Sequence, residues 1–216
     1  MSGRGKFITL EGLEGVGKTS NRQRIEQLLT RAGIDFVGTR EPGGTPVGEK
    51  LRDLVLHADG IMQPETELLL MAASRLEHVA QLIEPALSRG QWVLCDRYLD
   101  ASVAYQGAGR QLGTDRVVQL HSSMGLTLQP DLTVLLDMPV EAGLARMAAR
   151  GKPDRIESET VAFFERARDA YLKRAQADPA RFNVVDASRT LDEVCNDVSA
   201  AVQSLIDSTR QATCKP

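Results

Sequence analysis

Apolar residues along the chain fall into five short, near-continuous runs. Longer stretches separate them, in which apolar positions recur every three to four residues. The runs occupy 6–11 (KFITLE), 35–39 (DFVGT), 91–96 (QWVLCD), 131–138 (DLTVLLDM) and 182–186 (FNVVD). Runs without clean polar alternation suit strands buried on both faces. Helices are expected over 18–32, 47–57, 64–89, 115–124, 140–150, 158–177 and 191–208. Pro64 suits a first helical turn, and Gly33, Gly90 and Gly151 suit helix ends. Strand–helix alternation predicts the α/β class: a five-stranded parallel sheet with helices on both faces. In such sheets ligands bind beyond the carboxyl ends of the strands, so the chemistry should lie just after each run. No internal repeat, low-complexity tract or linker divides the chain. Residues 1–216 read as one domain with a frayed tail from 209.

Composition narrows the class without naming a function. With 216 residues, 42% hydrophobic and 25% charged, the chain suits a single soluble core, and aromatics at 4% leave aliphatic side chains to build it. A formal charge of −3 argues against a general nucleic-acid or membrane-surface binder, though it allows a local basic cleft. Cys95, Cys195 and Cys214 form no CxxC pair or disulfide framework, and Cys95 reads as a reduced core residue. No secretory leader or bilayer-length apolar stretch is evident, so a cytoplasmic location is expected.

The first run leads into Gly12-Leu13-Glu14-Gly15-Val16-Gly17-Lys18-Thr19, a full match to G-x-x-x-x-G-K-[ST] between a strand and a helix. Glycines let backbone N–H groups converge on phosphate oxygens, and the helix N-terminus adds positive partial charge. Lys18 then reaches the β- and γ-phosphates, while the Thr19 hydroxyl ligates Mg²⁺. The third run ends in Asp96-Arg97-Tyr98. An acid placed there holds Mg²⁺, directly or through water, and the adjoining arginine binds an anion; the alternative is a surface ion pair. After the second run, Thr39-Arg40-Glu41-Pro42-Gly43-Gly44-Thr45-Pro46 is either a plain structural loop or one whose backbone approaches a ligand closely.

TREPGGTP, DRY, Arg75 in the long helix, AYQG at 104–107 and RGKPDRIE at 150–157 occur in the order and spacing of thymidylate kinases. The resemblance covers the chain to about Ser208 and is most similar to the bacterial type. It implies a P-loop nucleoside-monophosphate kinase that transfers the γ-phosphoryl of ATP to dTMP, with Mg²⁺, as a homodimer. Arg97 and Arg40 would hold the acceptor phosphate. Glu14 would meet the 3′-hydroxyl, and Tyr105 would crowd the 2′ position. Arg75 would bond thymine O4, with Ser102 and Gln106 near the base in the loop after DRY and Pro42 beside the nucleotide. Relatives often stack a phenylalanine on the base, where this chain has Met71. Arg146 would lie on adenine, near Asp186-Ala187-Ser188.

This P-loop carries no arginine. In the family this chain resembles, some types carry an arginine in that loop and others place basic groups in a lid. The resemblance thus implies a lid over about 147–157, with Arg150, Lys152 and Arg155, and assigns catalytic charge to Arg150 and Arg155 together with Lys18 and Arg97. Two other readings stay open on the sequence: a kinase of another nucleoside or nucleotide, and a P-loop switch that hydrolyses NTP for a partner.

Overall fold

The computed structural model describes residues 3–149 and 154–213. Among them, β1 (Phe7–Gly12), β2 (Phe36–Arg40), β3 (Trp92–Asp96), β4 (Leu132–Asp137) and β5 (Phe182–Asp186) form one sheet in the order β2-β3-β1-β4-β5, and every pairing is parallel. β1 is central and wholly buried. Its register sets Leu10 beside Asp96 and Gly12 beside Leu136, so three strands end at a common level. The chain builds outward from β1 in both directions, which makes its carboxyl end a switch point in the topology.

Successive strand residues face opposite ways and therefore feed two apolar clusters. Ile8, Leu10 and Leu94 join Ile25 and Leu29 of α1 (Lys18–Arg31) and Val198 and Val202 of α9 (Leu191–Thr213). Phe7, Val93 and Cys95 join Leu68 of α3 (Pro64–His78), Leu87 of α4 (Glu84–Ser88) and Val117 of α6 (Thr114–Ser123). Threonine hydroxyls cap helix starts, among them those of α2 (Pro46–His57) and α8 (Val161–Ala177). Thr45 accepts from Gly48 N at the head of α2, and Thr160 accepts from Phe163 N at the head of α8.

Three expectations change. The helix expected over 64–89 is continuous to Ser88 but contains a π turn, Val79–Ile83, where Glu84 N–H donates to Val79 O five residues back. The wider turn makes room for Pro85, which has no N–H and would crowd a regular α-helical turn. The segment after Asp96-Arg97-Tyr98 is helical rather than a loop, with α5 (Leu99–Ser102) running into a π-helical stretch, Val103–Gly109. Gly109 serves close packing there: a Cβ on it would sit 2.6 Å from the Phe163 ring. The tail expected to fray from 209 continues α9 to Thr213, and Arg210 donates to Ala32 O (2.8 Å) just past α1.

Candidate functional site

At the carboxyl end of β1 the chain leaves the sheet through residues 12–17 and re-enters helix at Lys18. Gly15 has φ of 74°, and a Cβ on it would sit 2.0 Å from the carbonyl oxygen of Gly143 in α7 (Val140–Ala148). Gly143 is equally constrained, since a Cβ there would lie 2.6 Å from Glu14 O. The loop is therefore pressed onto α7 with no side chain between them, a contact the motif itself does not reveal. Lys18 Nζ donates to Leu13 O (2.7 Å) and Gly12 O (3.2 Å) and lies 3.8 Å from a Glu14 carboxylate oxygen. Burial, followed by the charge of Arg97, pushes the Lys18 pKa below its ordinary value. An anion delivered here would favour the charged form.

The loop borders a cavity of about 250 Å³ that reaches from Lys18 and Thr19 to Arg40, Met71 and Gln106. Arg97 lines it as well. The residue adopts a left-handed backbone, φ 68°, with its N–H bonded to Leu10 O. Its guanidinium donates to Gly12 O (3.0 Å), pairs closely with Glu14, and lies 4.7 Å from the Tyr105 ring centroid. Burial opposes that charge, but Glu14, Tyr105, Tyr171 and Asp96 together outweigh it and raise the Arg97 pKa further. Tyr105 donates its hydroxyl to the same Glu14 oxygen (3.1 Å). Glu14, Arg97 and Tyr105 thus form one cluster on the wall.

Arg40, Pro42 and Met71 line the cavity, and Arg40 donates to Glu49 (2.7 Å). A further cation, Arg52 of α2, shares the lining and donates to Pro42 O (3.0 Å). Burial, then the nearby Arg40 charge, depresses its pKa. Sequence reading missed Arg52, because one arginine on an amphipathic helix carries no signature. Asp96 and Thr19 also line the cavity. Asp96 Oδ1 is buried without a hydrogen-bond partner among the described residues. A carboxylate and a hydroxyl are hard oxygen donors, so this pair fits Mg²⁺.

Four predicted site residues lie elsewhere. Arg75 is 1% exposed and sits behind the wall. It donates to Glu41 (2.7 Å), Ser102 Oγ (3.0 Å), Tyr98 O (2.9 Å) and His121 Nε2 (2.6 Å). Ser102 is held there with it. These bonds use up four of the five guanidinium N–H groups, so the structure makes Arg75 and Ser102 a brace rather than a cavity lining. Arg155 does not line the cavity either. It donates to Val55 O (2.8 Å) and ion-pairs with buried Glu67 (2.7 Å). Arg146 donates to Ala187 O (3.1 Å), joining α7 to the loop after β5, outside the cavity. Arg150, the other expected lid arginine, lies outside the described residues.

The thymidylate kinase family model matches residues 10–198. The chain is 53% identical to a thymidylate kinase of Bordetella petrii over 207 residues, covering 96% of this chain and 99% of that protein. It is 51% identical to one from Pseudomonas putida (95% and 99% covered). A third, from Methylobacillus flagellatus, is 52% identical (90% and 95% covered).

Proposed function

The chain belongs to the thymidylate kinase family, and from that premise we infer that it transfers the γ-phosphoryl group of ATP to dTMP, giving dTDP and ADP. One observation supports this most. A glycine loop with Lys18 and three arginines, 40, 52 and 97, line a single cavity, so two phosphate chains can meet end to end. The triphosphate lies along residues 12–19, with Lys18 on its terminal phosphates. The acceptor monophosphate lies against Arg97, Arg40 and Arg52. Its sugar meets the Glu14–Tyr105 edge, and its base rests between Met71 and Gln106. Thr19 and Asp96 would hold Mg²⁺, which supplies neutralisation of phosphate charge.

Transfer then needs positioning more than proton chemistry. The acceptor oxygen attacks γ-phosphorus, the bond to the bridging oxygen breaks, and ADP leaves. The attacking monoester is already largely ionised near neutral pH, with a second pKa of about 6, so no general base is required. Charge at the transferring group falls to Lys18, Arg97 and Arg150. Arg146 would flank the adenine ring, beside the Ala187 carbonyl it binds.

Initial rates with ATP and a panel of dTMP, dUMP, dCMP, dAMP and thymidine test the assignment. We expect dTMP to be the best acceptor, and turnover of thymidine without dTMP would overturn it. Lys18→Ala should abolish turnover and leave the circular dichroism spectrum unchanged.

Two broader readings follow. We infer a homodimer: five of the eight exposed large apolar side chains among the described residues (Val47, Leu54, Ile61, Leu69 and Leu76) fall between 47 and 76, in or beside α2 and α3. Sedimentation as a monomer at micromolar concentration would contradict it. ATP use and the free thiols of Cys95 and Cys195 favour a cytoplasmic location. No described helix is long and apolar enough to cross a membrane.

A further inference from the structure

Gln106 is 2% exposed and forms part of the cavity wall. Its amide nitrogen donates to Glu67 Oε1 at 2.7 Å. Its amide oxygen is buried and has no hydrogen-bond partner among the described residues. A carboxamide with one end tied and the other unsatisfied can be read in either orientation, unless the partner's chemistry decides. Here the partner decides. An ionised carboxylate accepts and never donates, so only the NH₂ end of Gln106 can face Glu67. The acceptor end is left for whatever occupies the cavity.

Glu67 stays ionised because of what else grips it. It lies in the first turn of α3 with its side chain 0% exposed. Arg110 donates from Nε to both carboxylate oxygens (3.2 and 3.1 Å). The terminal nitrogens of Arg110 and Arg155 approach at 2.9 and 2.7 Å as charge pairs without hydrogen-bond alignment. Burial works to raise the Glu67 pKa, but the Arg110 and Gln106 bonds and the arginine charges override it, holding the carboxyl below its ordinary value. Two arginines thus fix one charge, and that charge fixes the polarity of one amide.

The polarity carries information about the base. Thymine and uracil present a ring N–H at N3. Cytosine presents a bare nitrogen acceptor there. An acceptor on the wall welcomes the first and leaves two lone pairs facing each other in the second.

We propose that Glu67 is a specificity-determining positioning residue: by orienting the Gln106 amide, it makes the cavity accept bases that carry a ring N–H and reject cytosine-type bases. The proposal rests on the reading that the base sits against Gln106. It assigns Glu67, Arg110 and Arg155 to substrate choice rather than to phosphoryl transfer.

Glu67→Gln tests it. In that variant Arg110 and Arg155 claim the new carboxamide oxygen, so its NH₂ faces Gln106. The Gln106 amide must then turn over and present N–H to the cavity. The ratio of kcat/KM for dTMP over dCMP is expected to fall about 10- to 100-fold, as a site reading one hydrogen bond does when its polarity is wrong. The change should lie mainly in KM for dTMP. Glu67→Asp keeps the charge for the arginines and withdraws the oxygen from Gln106. It guards against misfolding of the first variant and should lower the ratio too. In a Gln106→Ala background, Glu67→Asp should leave the ratio unchanged. An unaltered ratio in folded Glu67→Asp overturns the proposal, as does an equal loss with both acceptors. Wild-type protein that does not use dTMP would instead strike the preceding assignment.

Discussion

Arg97 holds a left-handed backbone with no glycine to relieve it, and a non-glycine residue at φ 68° costs about 1–3 kcal/mol unless its surroundings enforce it. The enforcement is visible: its N–H is tied to Leu10 O, and the next N–H, of Tyr98, is tied to Glu11 (2.8 Å). The strain aims the guanidinium across the cavity at Glu14 and the loop instead of along the sheet edge. Arg97→Ala should therefore lower kcat/KM for dTMP by about 10- to 100-fold through loss of a charge-assisted contact. The KM for ATP should stay within about twofold. Arg97→Lys should recover little, because a point charge cannot replace the fork that reaches Gly12 O and Glu14 together. A rise confined to the ATP KM would show that the two phosphate sites have been interchanged.

At the scale of elements, the P-loop depends on α7 as much as on its own glycines. Gly143→Ala adds one methyl group 2.6 Å from Glu14 O, a backbone atom that can move only with the loop. Overpacking of this kind costs about 1–3 kcal/mol, against a helix-propensity gain for alanine of about 1 kcal/mol. The expected result is a modest loss of stability and at least a several-fold rise in the ATP KM, read by thermal melts with and without ATP. An unchanged ATP KM would detach α7 from the phosphate site. The strands were legible because each is a compact apolar run, and the P-loop because its spacing is a local code. Gly143, Arg52 and Glu67 were not, since each acts only through a neighbour that the fold brings from far along the chain. The same reason governs where Arg75 and Arg155 lie. Both are arginines in the expected segments, but tertiary partners (Glu41 and His121 for one, Glu67 for the other) hold them behind the wall.

Across the whole molecule, two buried groups make opposite demands on pH. Burial, then the Asp100 carboxylate, pushes Glu11 from 4.5 up to about 7, while Tyr171, Arg97 and the Tyr98 N–H pull the other way. Asp100 is itself paired with Arg174 and Arg181. A carboxyl raised in the fold contributes stability that is full below pH 4.5 and lost as pH climbs through 7, on the order of 3 kcal/mol in all. His121 is shifted the other way, from 6.5 to about 4, by burial and then by the Arg75 charge. Its Nδ1 faces Val117 O (2.8 Å), so the neutral ring donates there and accepts from Arg75 at Nε2. A depressed histidine contributes stability that is full above 6.5 and lost as pH falls through 4, of similar size. Between about pH 4.5 and 6.5 the two slopes nearly cancel, so neither titration shows in the wild-type stability. Glu11→Gln removes the falling leg and keeps an acceptor for Tyr98 N–H, while its NH₂ group donates to the Tyr171 oxygen in place of the bond that hydroxyl now gives to Glu11. Urea unfolding of that variant should gain stability with rising pH across this interval, by up to about 3 kcal/mol relative to wild type. Parallel curves for the two proteins would mean that Glu11 is ionised throughout, with Arg97 and the Tyr98 N–H outweighing its burial.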